Sequence, residues 1–152
     1  MILLTVLVNV LTSKKEYVGK AVESISDPEE IERKKRLATK FWTTLNANDI
    51  WMVLMMIVLT TTICWFYYMP FNKQPGRHYH PGYCAFFGFL SVLLTGIATY
   101  LFCMFIVKVS SDYNLIIKMC CLNAFYSLLW FLACSWVFCN KSSTNAYRWL
   151  KM

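Results

Sequence analysis

IWMVLMMIVLTTTICWFYYM, residues 50–69, decides the class of this chain. It runs for 20 residues without a charge. A helix rises about 1.5 Å per residue and bilayer hydrocarbon is about 30 Å thick, so this run is long enough to cross. Two more runs repeat the pattern. CAFFGFLSVLLTGIATYLFCMFIV, residues 84–107, has 24 residues, and LIIKMCCLNAFYSLLWFLACSWVFC, residues 115–139, has 25 with one lysine, Lys118, near its start. Lys118 is close enough to an end to snorkel. Three such segments imply an all-α integral membrane protein.

Composition agrees. Apolar residues form 58% of the 152 and charged residues only 15%, against about 45–50% and about 25% in soluble domains. The net charge of +7 comes with no recognition motif, so it reads as topology and lipid attraction, not nucleic-acid binding. The seven cysteines form no CxxC pair, and five lie inside the apolar runs, where cysteine is a small hydrophobe. Cys84 and Cys139 fall at the same boundary, where an oxidising compartment would permit a disulfide.

Upstream, residues 1–11 (MILLTVLVNVL) are apolar but too short to cross as a helix. They lack the positive start of a signal peptide, and Lys14 and Lys15 follow where a cleavage site would stand. A membrane-associated helix is expected. The other readings are a helix packed on the bundle, or the second half of a helix begun upstream of Met1. The bundle therefore has three spanning helices, or four if this segment also crosses.

Residues 12–49 form the polar segment. Asp27-Pro28-Glu29-Glu30 is a helix start: Asp27 caps, proline suits the first position and Glu30 completes a capping box. Glu29–Arg33, Glu30–Lys34 and Glu32–Arg36 are spaced as i,i+4 ion pairs. The pattern predicts an amphipathic basic helix over about 28–45, with Arg33, Lys34, Lys35 and Arg36 on one side and a stripe of Ile31, Ala38, Phe41, Trp42 and Leu45 on the other. Such a juxtamembrane helix suits a bilayer surface or a partner protein. Residues 46–49 (NAND) read as a turn that caps the first span.

Orientation follows from basic residues. Residues 12–49 carry eight Lys and Arg, whereas loop 70–83 carries two. The expected topology is multi-pass in the cell (inner) membrane, with 12–49 cytoplasmic and loop 70–83 outside. Trp65, Tyr67, Tyr68 and Trp136 then mark one aromatic belt and Trp51 the other.

Loop 70–83 (PFNKQPGRHYHPGY) has two Pro-Gly turns. His78, His80 and Cys84 are the candidates for a metal, since imidazole and thiolate suit zinc or copper. No acidic ligand joins them, and partner contact explains the loop as well.

The second run carries Gly88, Ser91, Thr95, Gly96 and Thr99 at helical spacing, and the third carries Asn123, Ala124 and Ser127. Small residues let helices approach and polar ones bond across them. A tight helix pair is expected, with a polar pore lining as the competing reading. The spans contain no Asp or Glu, which proton- and ion-coupled transporters usually need at membrane depth. No nucleophile elbow, zinc-protease motif or phosphate loop is present.

These features predict a non-catalytic membrane subunit, without cofactor or small-molecule substrate, that anchors or assembles a larger envelope complex. Its partners would be the lipid bilayer and other membrane subunits, or further copies of itself. The alternative is a pore-forming or membrane-disrupting protein, holin-like or a defence effector. A thiol or metal enzyme at Cys84, His78 and His80 is the third class.

Overall fold

The computed structural model describes residues 11–23, 25–71, 81–107 and 113–139. Among them the chain is helical and has no strand. Four α-helices follow in order: α1 (Lys14–Val22), α2 (Pro28–Phe66), α3 (Pro81–Phe102) and α4 (Tyr113–Cys139). Single π-helical turns extend α2 over Tyr67–Phe71 and α3 over Cys103–Val107. The stretches Pro28–Phe71, Gly82–Phe105 and Tyr113–Phe138 are long and apolar enough to cross a membrane. Of the N-terminal apolar segment, only Leu11 lies within the described residues; it packs at the edge of the core.

Local chemistry sets the first two helix starts. The Ser13 hydroxyl accepts from the Glu16 N–H at 3.3 Å, and Lys20 closes on Glu16 at 2.7 Å. That ion pair lowers the Glu16 pKa and raises that of Lys20. Gly19 sits in the middle of α1, where a built Cβ would meet nothing within 4 Å. A mid-helix glycine costs about 0.8–1 kcal/mol relative to alanine, and no neighbour within the chain requires one here. For α2, the Asp27 carboxylate accepts from the Glu29 N–H at 3.2 Å and Pro28 stands at the first position. Of the three ion pairs expected on this helix, Glu32–Arg36 closes, at 2.6 Å.

The structure departs from expectation at residues 46–49. No turn interrupts the chain there: α2 is one helix of 39 residues. Asn48 donates its amide to the Thr44 carbonyl at 2.8 Å, while the Thr43 and Thr44 hydroxyls bond to Thr39 and Lys40 carbonyls. These side chains fold back on their own helix and do not cap a new one. Asp49 is buried on the inward face, in register with Leu45 and Met52. Asparagine and aspartate each cost a helix at most about 0.7 kcal/mol, less than a buried leucine or methionine gains by packing. The amphipathic segment over 28–45 is thus the first half of a rod about 58 Å long. If the apolar half of this rod crosses a bilayer, the amphipathic half cannot lie flat on it.

The core has two apolar clusters. At one end Phe41, Leu45, Met52 and Met56 of α2 pack against Leu115, Ile116 and Met119 of α4 and Cys103 beyond α3, with Tyr17 of α1 beside Phe41. At the other end Cys64, Tyr67 and Tyr68 meet Phe87 of α3 and Phe131 and Cys134 of α4. The Tyr67 ring lies tilted 5.2 Å from that of Phe87, and the Phe71 ring meets Phe87 edge-on at 5.0 Å. Cys103 beside Met52 and Phe87 beside Tyr67 make α3 antiparallel to α2, and α4 parallel to it.

The outward faces are as apolar as the core. Trp51, Val58, Phe89, Phe105 and Trp136 are each at least 60% exposed. Water penalises a continuous apolar surface of this kind, and hydrocarbon accepts it.

Helix continuity gives a direct expectation. Ala47→Pro should destabilise the protein by at least about 3 kcal/mol, because proline removes a backbone bond and clashes with the preceding turn. Thermal unfolding in detergent, followed by circular dichroism, measures this; a turn at 46–49 would tolerate the change.

Candidate functional site

Between the two apolar clusters lies a layer of buried polar side chains, one set from each long helix. Thr60 comes from α2, Ser91, Thr95 and Thr99 from α3, and Asn123 and Ser127 from α4. All six are fully buried. Hydroxyls and amides at membrane depth must find partners inside the bundle, since lipid offers none.

Their bonding assigns each proton. Thr95 donates to the Ser127 oxygen at 3.2 Å, and Ser127 donates to Ser91 at 3.4 Å. Its proton used, Ser127 can only accept from Thr60, whose oxygen lies 2.9 Å away. One donation and two acceptances complete the capacity of a hydroxyl. Ser91 in turn donates to the Gly88 carbonyl, and Thr99 to the Thr95 carbonyl, each at 2.8 Å. These two bonds keep the protons within α3. Asn123 donates to Thr99 at 2.7 Å and, more loosely, to the Met52 carbonyl at 3.5 Å. Its Oδ1 is buried and has no hydrogen-bond partner among the described residues.

Further links lie toward the Tyr67 end. Trp130 donates its indole N–H to Thr61 at 3.0 Å, and the Cys64 sulfur lies 3.7 Å from the Ser135 hydroxyl. The layer holds three-helix contacts that depend on register. Sliding α4 by one turn would separate Ser127 from Thr60, Thr95 and Ser91 together. Each interhelical bond in lipid contributes about 0.6 kcal/mol on average, so the layer selects an alignment more than it adds stability.

The structure brings together six of the eight residues expected to pack helices. Ser91, Thr95, Thr99, Asn123 and Ser127 form the layer. Gly88 lies just beyond it, where a built Cβ would stand 3.4 Å from the Phe131 ring. Gly96 and Ala124 are half-buried at its edge, and a Cβ at Gly96 would meet nothing within 4 Å. Thr60 is not singled out by the sequence, and Asp49, read there as part of a capping turn, is instead buried. Thr60 sits in TTT, where periodicity alone does not say which threonine points inward. Asp49 could have been found from its i,i+4 spacing to Leu45.

The basic residues Arg33, Lys34, Lys35 and Arg36 are exposed on the first half of α2. Phe41 is 3% exposed, covered by Tyr17 and the start of α4, so the expected lipid- or partner-facing stripe is occupied there by the chain itself. Trp42 is half-buried on the same cluster, and its indole N–H has no partner among the described residues.

His78 and His80 lie outside the described residues, and Cys84 is a half-buried free thiol. The side chain of Cys139, its suggested disulfide partner, is also outside them. Among the described residues no group of three His, Cys, Asp or Glu is placed to hold a metal. Loop 70–83 has its ends joined, with the Phe71 and Tyr83 rings 5.3 Å apart. No known protein family, curated protein or solved structure matches the chain.

Two pairs of variants test the packing. Gly88→Leu should cost about 1–3 kcal/mol by forcing Phe131 aside, while Gly96→Leu should be close to neutral. Ser127→Ala should destabilise by about 1–2 kcal/mol, since it leaves Thr60 and Thr95 without their shared acceptor. Ser135→Ala, which removes a weak sulfur contact to Cys64 and a bond to the Tyr68 side chain, should cost less. Denaturant titration in detergent reports all four.

Proposed function

We propose that this protein is a multi-pass membrane subunit, without catalytic activity of its own, that anchors or assembles a larger envelope complex. The Ser127-centred layer carries this reading. Its hydroxyls are satisfied inside one chain, with Asn123 Oδ1 the polar atom left over among the described residues, and the apolar outer faces remain for lipid or for other membrane subunits. A layer of hydroxyls and one amide contains no general base or activated nucleophile.

Topology supports the same view. With the eight basic residues of segment 12–49 on the cytoplasmic side, loop 70–83 is outside and the protein resides in the cell (inner) membrane. The 13 residues of α2 before Phe41, which packs level with Leu115 at the start of the third run, then project about 20 Å beyond it as a stiff, charged post. A post that ends in exposed Arg33, Lys34 and Arg36 is suited to hold a soluble partner.

The pore reading would need Thr95, Ser127 and Asn123 to line water between copies. In the folded chain each is fully buried, and the bundle would have to open to expose them.

Two measurements decide between these readings. The purified protein in vesicles should release no more trapped carboxyfluorescein than empty vesicles do, and leakage that Thr95→Leu abolishes would establish the pore. Detergent extraction from native membranes should recover membrane subunits and a soluble partner bound to the protein. Reversing charge at Arg33, Lys34 and Arg36 should release the soluble partner by at least tenfold; recovery of the protein alone would refute an assembly role.

A further inference from the structure

We infer that the trough between α1 and α2 is a docking site for an acidic amphipathic helix of a partner polypeptide. The inference rests on the assembly reading above and gives it a specific surface. The trough has a volume of about 930 Å³. Val18, Gly19 and Val22 of α1 and Ile31 of α2 form an apolar floor, with Lys14 and Lys15 on one rim and Lys35 on the other.

Charge defines the occupant. Lys20 and Arg36 are engaged by Glu16 and Glu32. Among the described residues no carboxylate pairs with Lys14, Lys15 or Lys35, although Glu23 also lines the trough. Three ammonium groups flank the apolar floor, two on one rim and one on the other. A helix with an apolar stripe edged by Asp or Glu on both sides matches that arrangement.

Gly19 defines the closeness of approach. It weakens α1, and a Cβ there would meet no atom of the described residues within 4 Å. It is exposed and lines the trough, where a bare backbone lets another helix come near.

The apolar lining favours a peptide helix over a lipid headgroup, which has no apolar face to set against Val18, Val22 and Ile31.

The test uses the full-length protein in nanodiscs of zwitterionic lipid. Its probes are an 18-residue helical peptide with leucines at i,i+4 spacing flanked by glutamates, and the same peptide with lysines replacing the glutamates. The acidic peptide should bind and the basic one should not. Gly19→Trp, which fills the floor, and the double reversal Lys15→Glu with Lys35→Glu should each weaken binding at least tenfold without altering the helical circular dichroism. Equal binding by wild type and variants, equal binding of both peptides, or no binding of the acidic one would overturn the assignment. Competition by phosphatidylglycerol nanodiscs would also overturn it, in favour of lipid. Native partners retained by Gly19→Trp would remove the trough alone, whereas wild-type protein extracted without partners would remove the assembly role beneath it.

Discussion

The Ser127 hydroxyl has one proton and two acceptor sites, and three neighbours take them all. Those neighbours come from α2 and α3, so one small side chain on α4 specifies where all three long helices stand. Apolar packing above and below cannot do this by itself. Methionine, leucine and phenylalanine slide past one another at modest cost in a surrounding as apolar as they are. The polar layer makes one alignment cheaper than its neighbours, and the two clusters then close around it.

This arrangement inverts that of a soluble bundle. Here Thr60, Thr95, Thr99 and Asn123 are buried while Trp51, Val58, Phe105 and Trp136 face outward. A bilayer would reward the outward faces and penalise unpaired hydroxyls within, and the same helices are suited to both demands. Among the described residues, Asn123 Oδ1 is the place in the layer where that matching is incomplete.

Much of this was legible from residue order. The three runs announced themselves by length, and the small polar residues of the second and third by their helical spacing. What could not be read was which members of a stripe touch. Gly88 and Gly96 look alike on a helical wheel, yet a Cβ at one would meet Phe131 and a Cβ at the other would meet no described residue within 4 Å, because the partner is fixed by α4. Residues 46–49 misled for a related reason. Asn-Ala-Asn-Asp has the composition of a turn, but the inward register of Leu45, Asp49 and Met52 lets tertiary packing carry the helix through. Phe41 and Leu45 were recognisable as an apolar stripe, while their cover, Tyr17 and the start of α4, is distant in sequence.

The continuity of α2 has a mechanical side. A helix is stiff over its length, so its two ends do not move independently. Tilting or twisting the charged end at Arg33 displaces Thr60 within the polar layer and Tyr67 among the aromatic rings beyond it. The same rod, long and apolar enough to cross a membrane, is thus a lever braced against Ser127. Whatever pulls on its basic end works against the alignment of the whole bundle.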